Sequence, residues 1–164
     1  MAAFGHLAVA FTAGRVIDRP RPLGWMALFS ALSMLPDVDV IAFVFRVPYE
    51  HPLGHRGATH SIAFAVLCGV AALLVRRDRR LALFTTAVVL THPLLDMLTD
   101  GGLGCALFWP ISNERLFWPV QPLPVAPIGH GMFSRRGLYV VIVEVLAFLP
   151  LVVFAFWPRR SARS

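Results

Sequence analysis

The chain of 164 residues contains no lysine and few charged residues of any kind. Aspartate, glutamate and arginine together make up 15% of it, whereas hydrophobic residues make up 57% and the mean hydropathy is +0.70. A soluble domain of this size has about a quarter of its residues charged. The composition therefore excludes an ordinary soluble domain and predicts one all-α domain over 1–164, a polytopic helical membrane protein.

The scarcity of cysteine and the placement of basic residues narrow the function further. Cys68 lies in an apolar run and Cys105 in a loop, so no disulfide is expected. The net charge of +6 comes from arginines between apolar runs, where they suit anionic lipid head groups. No broad basic face is present, so we expect no nucleic-acid partner. Arg15 follows the first apolar stretch, so that stretch is expected to be retained rather than cleaved as a signal peptide.

The apolar runs predict about five short transmembrane helices. They are Ala2–Ala13, Leu23–Leu35 with a resumption through Val40–Phe45, Ile62–Val75, Leu81–Leu98 and Leu138–Trp157. All but the last fall short of the roughly 20 residues of an uninterrupted span, so short or tilted helices are expected. A long loop, Thr99–Gly137, separates the last two, and its five prolines exclude a long helix there. Its residues Trp109 and Trp118 fit either an interfacial anchor or a lid.

Arginine placement predicts the orientation of this bundle. Three arginine groups follow the first, third and fifth apolar segments: Arg15, Arg19 and Arg21; Arg76, Arg77, Arg79 and Arg80; Arg159, Arg160 and Arg163. The positive-inside rule places all three in the cytoplasm together with the C-terminus. The Thr99–Gly137 loop is then extracytoplasmic, with Arg135 and Arg136 as the main exception.

Imidazoles and carboxylates are concentrated in four stretches of this apolar sequence: Gly5-His6, LPDVD (35–39), HRGATHS (55–61) and THPLLD (91–96). A helical rise of 1.5 Å per residue places the candidate ligands ~14 to ~24 Å from the nearest cytoplasmic arginine. They therefore share the outer half of a ~30 Å hydrocarbon core. An ionisable group costs several kcal/mol there unless it is paired or ligated. The sequence thus predicts a metal site among seven candidate residues: His6, Asp37, Asp39, His55, His60, His92 and Asp96.

Each element of this set also has a simpler explanation. His92 and Asp96 share one helix face about 6 Å apart, which fits one ion, two bridged ions or a buried hydrogen-bonded pair. Asp37 and Asp39 can face one site only if the helix breaks at Pro36; otherwise they are solvated acids at a helix end.

The remaining histidines fall into two groups, candidates for the site and residues without a partner. His55 and His60 flank Gly57, which permits a turn, and beside a membrane helix they are hard to explain structurally. His51 and His130 have no partner at ligand spacing.

Imidazole with carboxylate is typical of Zn²⁺, with Mn²⁺ or Fe as alternatives. Seven candidates exceed the need of one tetrahedral ion, which indicates one or two ions and some outer-sphere roles. Glu144 in the last apolar segment is a further candidate carboxylate.

These motifs resemble the YdjM-like family of bacterial inner-membrane proteins, described as membrane-bound metal-dependent hydrolases. The resemblance spans about residues 5–118 and continues through THPLLDMLTDGG to FWP. That family is in turn similar to the zinc-dependent phospholipase C and single-strand nuclease superfamily. The order of residues implies ligand roles for His6, Asp37, His60, His92 and Asp96. The chain lacks the N-terminal Trp and the downstream ligand pair of soluble members, so a three-zinc site is not expected.

We therefore expect a metal-dependent hydrolase that cleaves a phosphoester of a membrane lipid or lipid-linked substrate at the outer face of the bacterial inner membrane. Asp39 or His55 would orient a ligand or act as general base, and Arg56 and Arg115 would hold phosphate. An ion pair with Glu114 is the alternative for Arg115. A non-enzymatic metal-binding or metal-transport protein is the alternative function, because intramembrane His and Asp also mark ion pathways.

Overall fold

The computed structural model describes residues 3–17, 19–127 and 129–158. Five α-helices follow one another: α1 (Ala3–Val16), α2 (Pro22–Met34), α3 (Ile62–Arg76), α4 (Arg79–Asp96) and α5 (Arg135–Phe156). Three 3₁₀ segments lie between them: Pro36–Phe43, Ala58–His60 and Gly129–Phe133. No strand occurs in the described ranges apart from isolated bridges, so the all-α prediction is confirmed.

Helix starts follow local chemistry. The side chains of Ser61, Asp78 and Ser134 each accept a hydrogen bond from a backbone N–H in the first turn of the helix that follows. These caps satisfy donors that have no partner inside the helix. Pro22 begins α2, where its missing N–H costs nothing.

The break expected at Pro36 is present. The axis of Pro36–Phe43 is bent by 43° from that of α2, and this segment is a 3₁₀ helix rather than a resumed α-helix. Because a 3₁₀ helix has three residues per turn, the break turns Asp37 and Asp39 away from the direction that α2 would have given them.

Helix α1 is central and packs against α2, α4 and α5, whereas α3 packs on α4. Buried apolar side chains from α1, α2 and α4 form the core between the helices, together with Ile17: Ala10, Ile17, Phe29, Leu81 and Val88. The segment 97–134 folds over one end of the bundle. Its contacts there include the indole N–H of Trp118, which donates to the Leu94 carbonyl at 2.9 Å.

The lengths of the helices do not support five membrane-spanning segments. In the described ranges only α5, with 22 residues, is long and apolar enough to cross a bilayer, or two spans if α2 and its bent continuation count as one. Helices α1 and α2 have 14 and 13 residues, or roughly 20 Å each, against a ~30 Å hydrocarbon core. Helix α4 is longer, with 18 residues, but polar side chains interrupt it.

The arginine linkers meet at one end of the bundle. Arg19, between α1 and α2, forms an ion pair with Asp78, between α3 and α4. Arg80 also donates to the Val16 carbonyl at 3.3 Å. The third predicted group, Arg159, Arg160 and Arg163, lies outside the described residues.

Candidate metal centre

The five predicted ligands meet at the end of the bundle opposite the arginine linkers. Ligand atoms of four of them lie within 4.8 Å of one another: Asp37, His60, His92 and Asp96. His92 and Asp96 lie on α4, Asp37 on the bent 3₁₀ segment and His60 on the short one before α3. The cluster thus joins three segments that are distant in sequence.

The imidazole Nε2 atoms in this cluster face carboxylate oxygens. His92 Nε2 is 3.2 Å from Asp37 Oδ1, and His60 Nε2 is 3.5 Å from the same oxygen. His60 Nε2 is also 3.8 Å from Asp96 Oδ2. Two imidazole nitrogens and two carboxylates form a donor set that suits Zn²⁺.

The opposite nitrogen of each imidazole is already held by the protein. His92 Nδ1 donates to the Ser33 carbonyl at 2.6 Å. His60 Nδ1 is 3.0 Å from Asp39 Oδ2. A partner at Nδ1 fixes the tautomer and turns Nε2 toward the ligand position, as in most protein sites where histidine binds a metal.

Asp39 lies behind the cluster and holds several groups at once. Besides His60 it accepts from His55 Nδ1 at 2.7 Å, from the Arg56 backbone N–H at 3.0 Å and from the Thr59 hydroxyl at 2.6 Å. Both of its oxygens are therefore engaged. Of the two roles predicted for Asp39, this geometry favours orientation of His60 over general-base catalysis.

His6 extends the cluster from α1. Its ring stacks on the His92 ring with centroids 3.8 Å apart and planes inclined by 9°. Its Nε2 is 3.5 Å from Asp96 Oδ1, yet neither ring nitrogen of His6 has a hydrogen bond in the described part of the chain.

Buried nitrogens without hydrogen bonds favour the binding of a cation beside them. The Nε2 of His60 has no hydrogen bond either, although the side chain is fully buried. Leaving a buried polar atom unsatisfied costs about 1–3 kcal/mol. A cation bound among His6, His60, Asp37 and Asp96 would satisfy the Nε2 atoms of both histidines, so the residues present fit a metal ion.

Protonation of His60 depends on the same neighbours. Burial alone would lower the pKa of His60, but the neighbouring carboxylates of Asp37 and Asp39 outweigh that effect and raise the pKa to about 8. Without a bound cation, the protonated His60 ring therefore supplies the positive charge between the carboxylates of Asp37 and Asp39.

Arg56 brings a permanent positive charge to the edge of the cluster. Its Nε lies 2.9 Å from Asp96 Oδ2, and its terminal nitrogens donate to the Gly101 carbonyl and the Thr99 hydroxyl at 3.1 and 3.3 Å. Burial opposes the charge, but Asp96 raises the pKa of Arg56 above its ordinary value. The backbone of Arg56 is left-handed, with φ of 59°, which is costly for a residue with a side chain.

Arg115, the other residue predicted to hold phosphate, makes different contacts. Its guanidinium donates to the backbone carbonyls of His55, Tyr49 and His51 at 2.9, 3.0 and 3.1 Å. The alternative ion pair with Glu114 is also absent from the described contacts. Arg115 stabilises the loop before His55, and phosphate binding by Arg115 stays a prediction without a contact to support it.

The remaining candidates lie outside the four-ligand cluster. Glu144 is fully buried on α5 and accepts from the Gly5 N–H at 3.3 Å, so it borders the segment that carries His6. His130 is exposed in the Gly129–Phe133 segment. His51 is exposed as well, and its Nδ1 accepts from the Leu53 N–H.

A cavity of about 520 Å³ opens beside the cluster. Its charged side is formed by Asp37, Arg56 and Asp96, and its apolar side includes Val40, Val125 and Met132. The tryptophans predicted as a lid do not line it in the described part of the chain, whereas Val125, Ala126, Pro127, Gly129 and Met132 do.

Several residues of the site carried no sequence signal. Tyr49 lines the cavity and stacks on His55 with ring centroids 5.2 Å apart. The Ser33 carbonyl and the Thr59 hydroxyl orient the two histidines. Hydroxyls and carbonyls are common in every helix, so residue type does not single these groups out. The break predicted at Pro36 was the one sequence feature that indicated their convergence.

Comparison with known proteins relates the chain to inner-membrane proteins. The family described as YdjM inner membrane protein matches residues 1–161. The chain is also similar to inner membrane protein YbcI of Escherichia coli (strain K12), with 39% identity over 140 residues that cover 79% of this chain and 81% of that protein. No solved structure matches the chain. The chain therefore belongs to the YdjM inner membrane protein family.

Proposed function

We propose that the protein is a metal-dependent hydrolase of the inner membrane that cleaves a phosphoester of a membrane lipid or lipid-linked substrate. One observation carries this proposal. The Nε2 atoms of His60 and His92 face two carboxylates in a buried cluster, while Asp39 and the Ser33 carbonyl hold the opposite nitrogens. A purely structural His–Asp pair does not need both histidines fixed in this way.

The ion would be held by Asp37, His60, His92 and Asp96, and His6 would contribute to the same ion or to a second one. Zn²⁺ suits this donor set, and Mn²⁺ or Fe accept it as well. Such an ion supplies hydroxide at neutral pH and neutralises charge on the phosphoryl oxygens. The resemblance to zinc-dependent phospholipases supports the same chemistry.

The protein's own residues are suited to an anionic, partly apolar substrate. Arg56 is charged, borders the cavity and already offsets the charge of Asp96. Two of the five N–H groups of its guanidinium donate to the Gly101 carbonyl and the Thr99 hydroxyl, and Nε faces Asp96, so a phosphate oxygen at the cavity edge would use the N–H groups that remain. Val125 and Met132 give the opposite wall the apolar character that an acyl chain needs.

The proposed orientation places the site at the extracytoplasmic face. The arginine linkers that meet through Arg19 and Asp78 would lie in the cytoplasm, and α5 would cross the bilayer. The shorter helices would enter the bilayer around it and carry the cluster at their far ends. A lipid phosphate then reaches the cavity without leaving the membrane.

A metal transporter is the alternative function, and the packing beneath the cluster argues against it. The core between the cluster and the arginine linkers contains Ala10, Phe29 and Val88. Among the described buried residues of that region, Thr85 is the polar side chain, which is too little for an ion path.

The test measures metal content and hydrolysis on the same preparations. We expect purified protein to contain about one or two transition-metal ions per chain and to release phosphate or a phosphorylated head group from mixed inner-membrane lipids. His60→Ala and Asp96→Ala should lose both properties, with turnover at least about 100-fold lower, because ligand loss removes the electrophile.

Matched substitutions at exposed positions serve as controls. His130→Ala removes an imidazole outside the cluster and should change neither metal content nor turnover. Metal-free wild-type protein, or ligand variants as active as His130→Ala, would contradict the proposal. Stoichiometric metal without any lipid turnover, together with metal uptake into proteoliposomes, would favour the transporter.

A further inference from the structure

A second cavity, of about 510 Å³, lies between α2 and α3. Both helices pack on α4, but within the described residues they do not pack on each other, so α4 forms the floor of an open cleft. The walls are apolar, with Leu28 and Leu32 on one side and Ala72 and Val75 on the other. This cleft shares no lining residue with the cavity beside the metal cluster.

Two polar groups distinguish one end of the cleft. Arg76, exposed at the end of α3, lines the cavity. Thr85 on α4 also lines it, and although Thr85 is only 2% exposed, its hydroxyl has no hydrogen-bond partner in the described part of the chain. An unpartnered buried hydroxyl in an apolar cleft points to a ligand that carries an acceptor.

The spacing of these groups along α4 matches the layers of a lipid leaflet. Thr85 lies ~7.5 Å along the helix from Arg80. The polar layer of a leaflet is ~5–7 Å thick, because head groups and core together span about 40–45 Å and the core alone about 30 Å. A phosphate at the level of the arginines therefore has its ester carbonyls near Thr85.

We propose that the α2–α3 cleft binds one anionic phospholipid, with an acyl chain between the helices and the phosphate on Arg76. The Thr85 hydroxyl donates to an ester carbonyl of that lipid. The proposal does not depend on hydrolysis at the metal cluster.

The charges at the mouth of the cleft explain the choice of an anionic lipid. Arg77 follows Arg76, and Arg79 and Arg80 come directly after Asp78. Asp78 is engaged by Arg19 and by the Leu81 N–H, so it neutralises little of this field. Guanidinium binds phosphate through two parallel hydrogen bonds, which selects a phosphate exposed at that depth.

The charge at the mouth of the cleft favours an anionic lipid over a helix from a second copy of this chain. The chain carries a net charge of +6. A second copy in the same orientation would bring its own arginine linkers to the depth of Arg76. Like charges at that depth repel, whereas a lipid phosphate is attracted.

The experiment is native mass spectrometry of the purified full chain after equilibration with equal amounts of phosphatidylglycerol and phosphatidylcholine. We expect one phosphatidylglycerol to be retained per chain, with about tenfold preference over phosphatidylcholine. Arg76→Gln and Ala72→Leu should each reduce retention about tenfold, the first by removing charge and the second by filling the cleft. Thr85→Val should weaken retention of the ester lipid but leave an ether-linked analogue, which lacks the carbonyl, unchanged.

Two matched controls separate the cleft from general surface effects. Arg135→Gln removes an exposed arginine at the other end of the bundle, and Ala87→Leu adds the same volume on an exposed part of α4. Both should retain lipid as the wild type does, and metal content should be equal in the cleft variants and these two controls. His60→Ala should also keep the lipid, so failure of the hydrolase proposal is distinguishable. Wild-type levels of lipid retention in Arg76→Gln and Ala72→Leu, or a dimer that Ala72→Leu abolishes, would overturn the proposal.

Discussion

Asp39 sets the geometry of the metal cluster without facing the ligand position. It holds the Nδ1 atoms of both His55 and His60, and it also accepts from the Thr59 hydroxyl and the Arg56 N–H. One carboxylate therefore fixes the tautomer of a predicted ligand and the strained backbone of Arg56. Loss of the Asp39 carboxylate would therefore change the site indirectly, through the positions of His60 and Arg56.

The metal-free protein should lose stability as the pH rises. The pKa of His60 is raised to about 8 in the folded chain, against about 6.5 in an unfolded one. A raised pKa contributes stability that is complete below pH 6.5 and is lost as the pH passes 8, here about 2 kcal/mol. Thermal unfolding of chelator-treated protein in detergent at pH 6 and pH 9 measures this difference.

His60→Gln provides the control for this pH dependence, since it keeps a polar side chain but cannot titrate. The variant should show a smaller change between the two pH values than the wild type. An identical pH dependence in both proteins would assign the effect to other groups.

At this scale the sequence was most informative about the ligands themselves. His6, Asp37, His60, His92 and Asp96 stood out because ionisable side chains are costly in apolar runs. The groups that orient them did not stand out, since the Ser33 carbonyl is a backbone atom and carries no residue-type signal. The role of Arg115 depends on three loop carbonyls whose positions only the folded loop defines.

Helices α3 and α4 approach each other closely at Gly69. A Cβ added there would collide with the Thr86 hydroxyl and would lie 3.0 Å from the Ala82 carbonyl. The absence of a side chain at Gly69 thus lets α3 pack on α4, and α4 carries two of the ligands.

Gly69→Val should destabilise the protein by about 1–3 kcal/mol, because the added carbons overpack a close helix contact. Gly24→Ala is the matched control: a Cβ there meets nothing within 4 Å, so the change should stabilise α2 by about 0.5–1 kcal/mol. Denaturant unfolding in detergent measures both. Equal effects of the two substitutions would show that helix propensity, rather than the α3–α4 contact, governs position 69.

Apolar runs predicted the helices to within a few residues, because a helix that faces lipid must be apolar along its whole length. The prediction for 62–75 corresponds to α3, Ile62–Arg76, and that for 138–157 to α5, Arg135–Phe156. Spanning was harder to predict, since it depends on helix length, and α1 and α2 are short. The first four residues of the Val40–Phe45 run belong to a 3₁₀ segment, Pro36–Phe43, because Pro36 ends α2.

The two ends of the helix bundle carry different kinds of polar group. Arginine linkers joined through Arg19 and Asp78 form one end, and the metal cluster with the 97–134 segment forms the other. Such an arrangement predicts a fixed orientation in the membrane, because arginine is retained on the cytoplasmic side.

Reporter fusions test this orientation. Alkaline phosphatase fused at Pro122 should be active, and a fluorescent protein fused after Ser164 should fluoresce, because the first folds only outside the cytoplasm and the second only inside. Reversal of both signals would place the cluster at the cytoplasmic face and imply a substrate in the inner leaflet.

The order of the ligands along the chain has a consequence for biosynthesis. The last residue of the cluster is Asp96, whereas α5 begins at Arg135. All four candidate ligands of the cluster are therefore translated before α5, which among the described helices is the one long and apolar enough to cross the bilayer without a break. The nascent chain needs its carboxylates and imidazoles stabilised before α5 exists, so ion capture during translation would help to retain the early helices. Once α5 is made, Glu144 reaches the Gly5 N–H and secures the segment that carries His6.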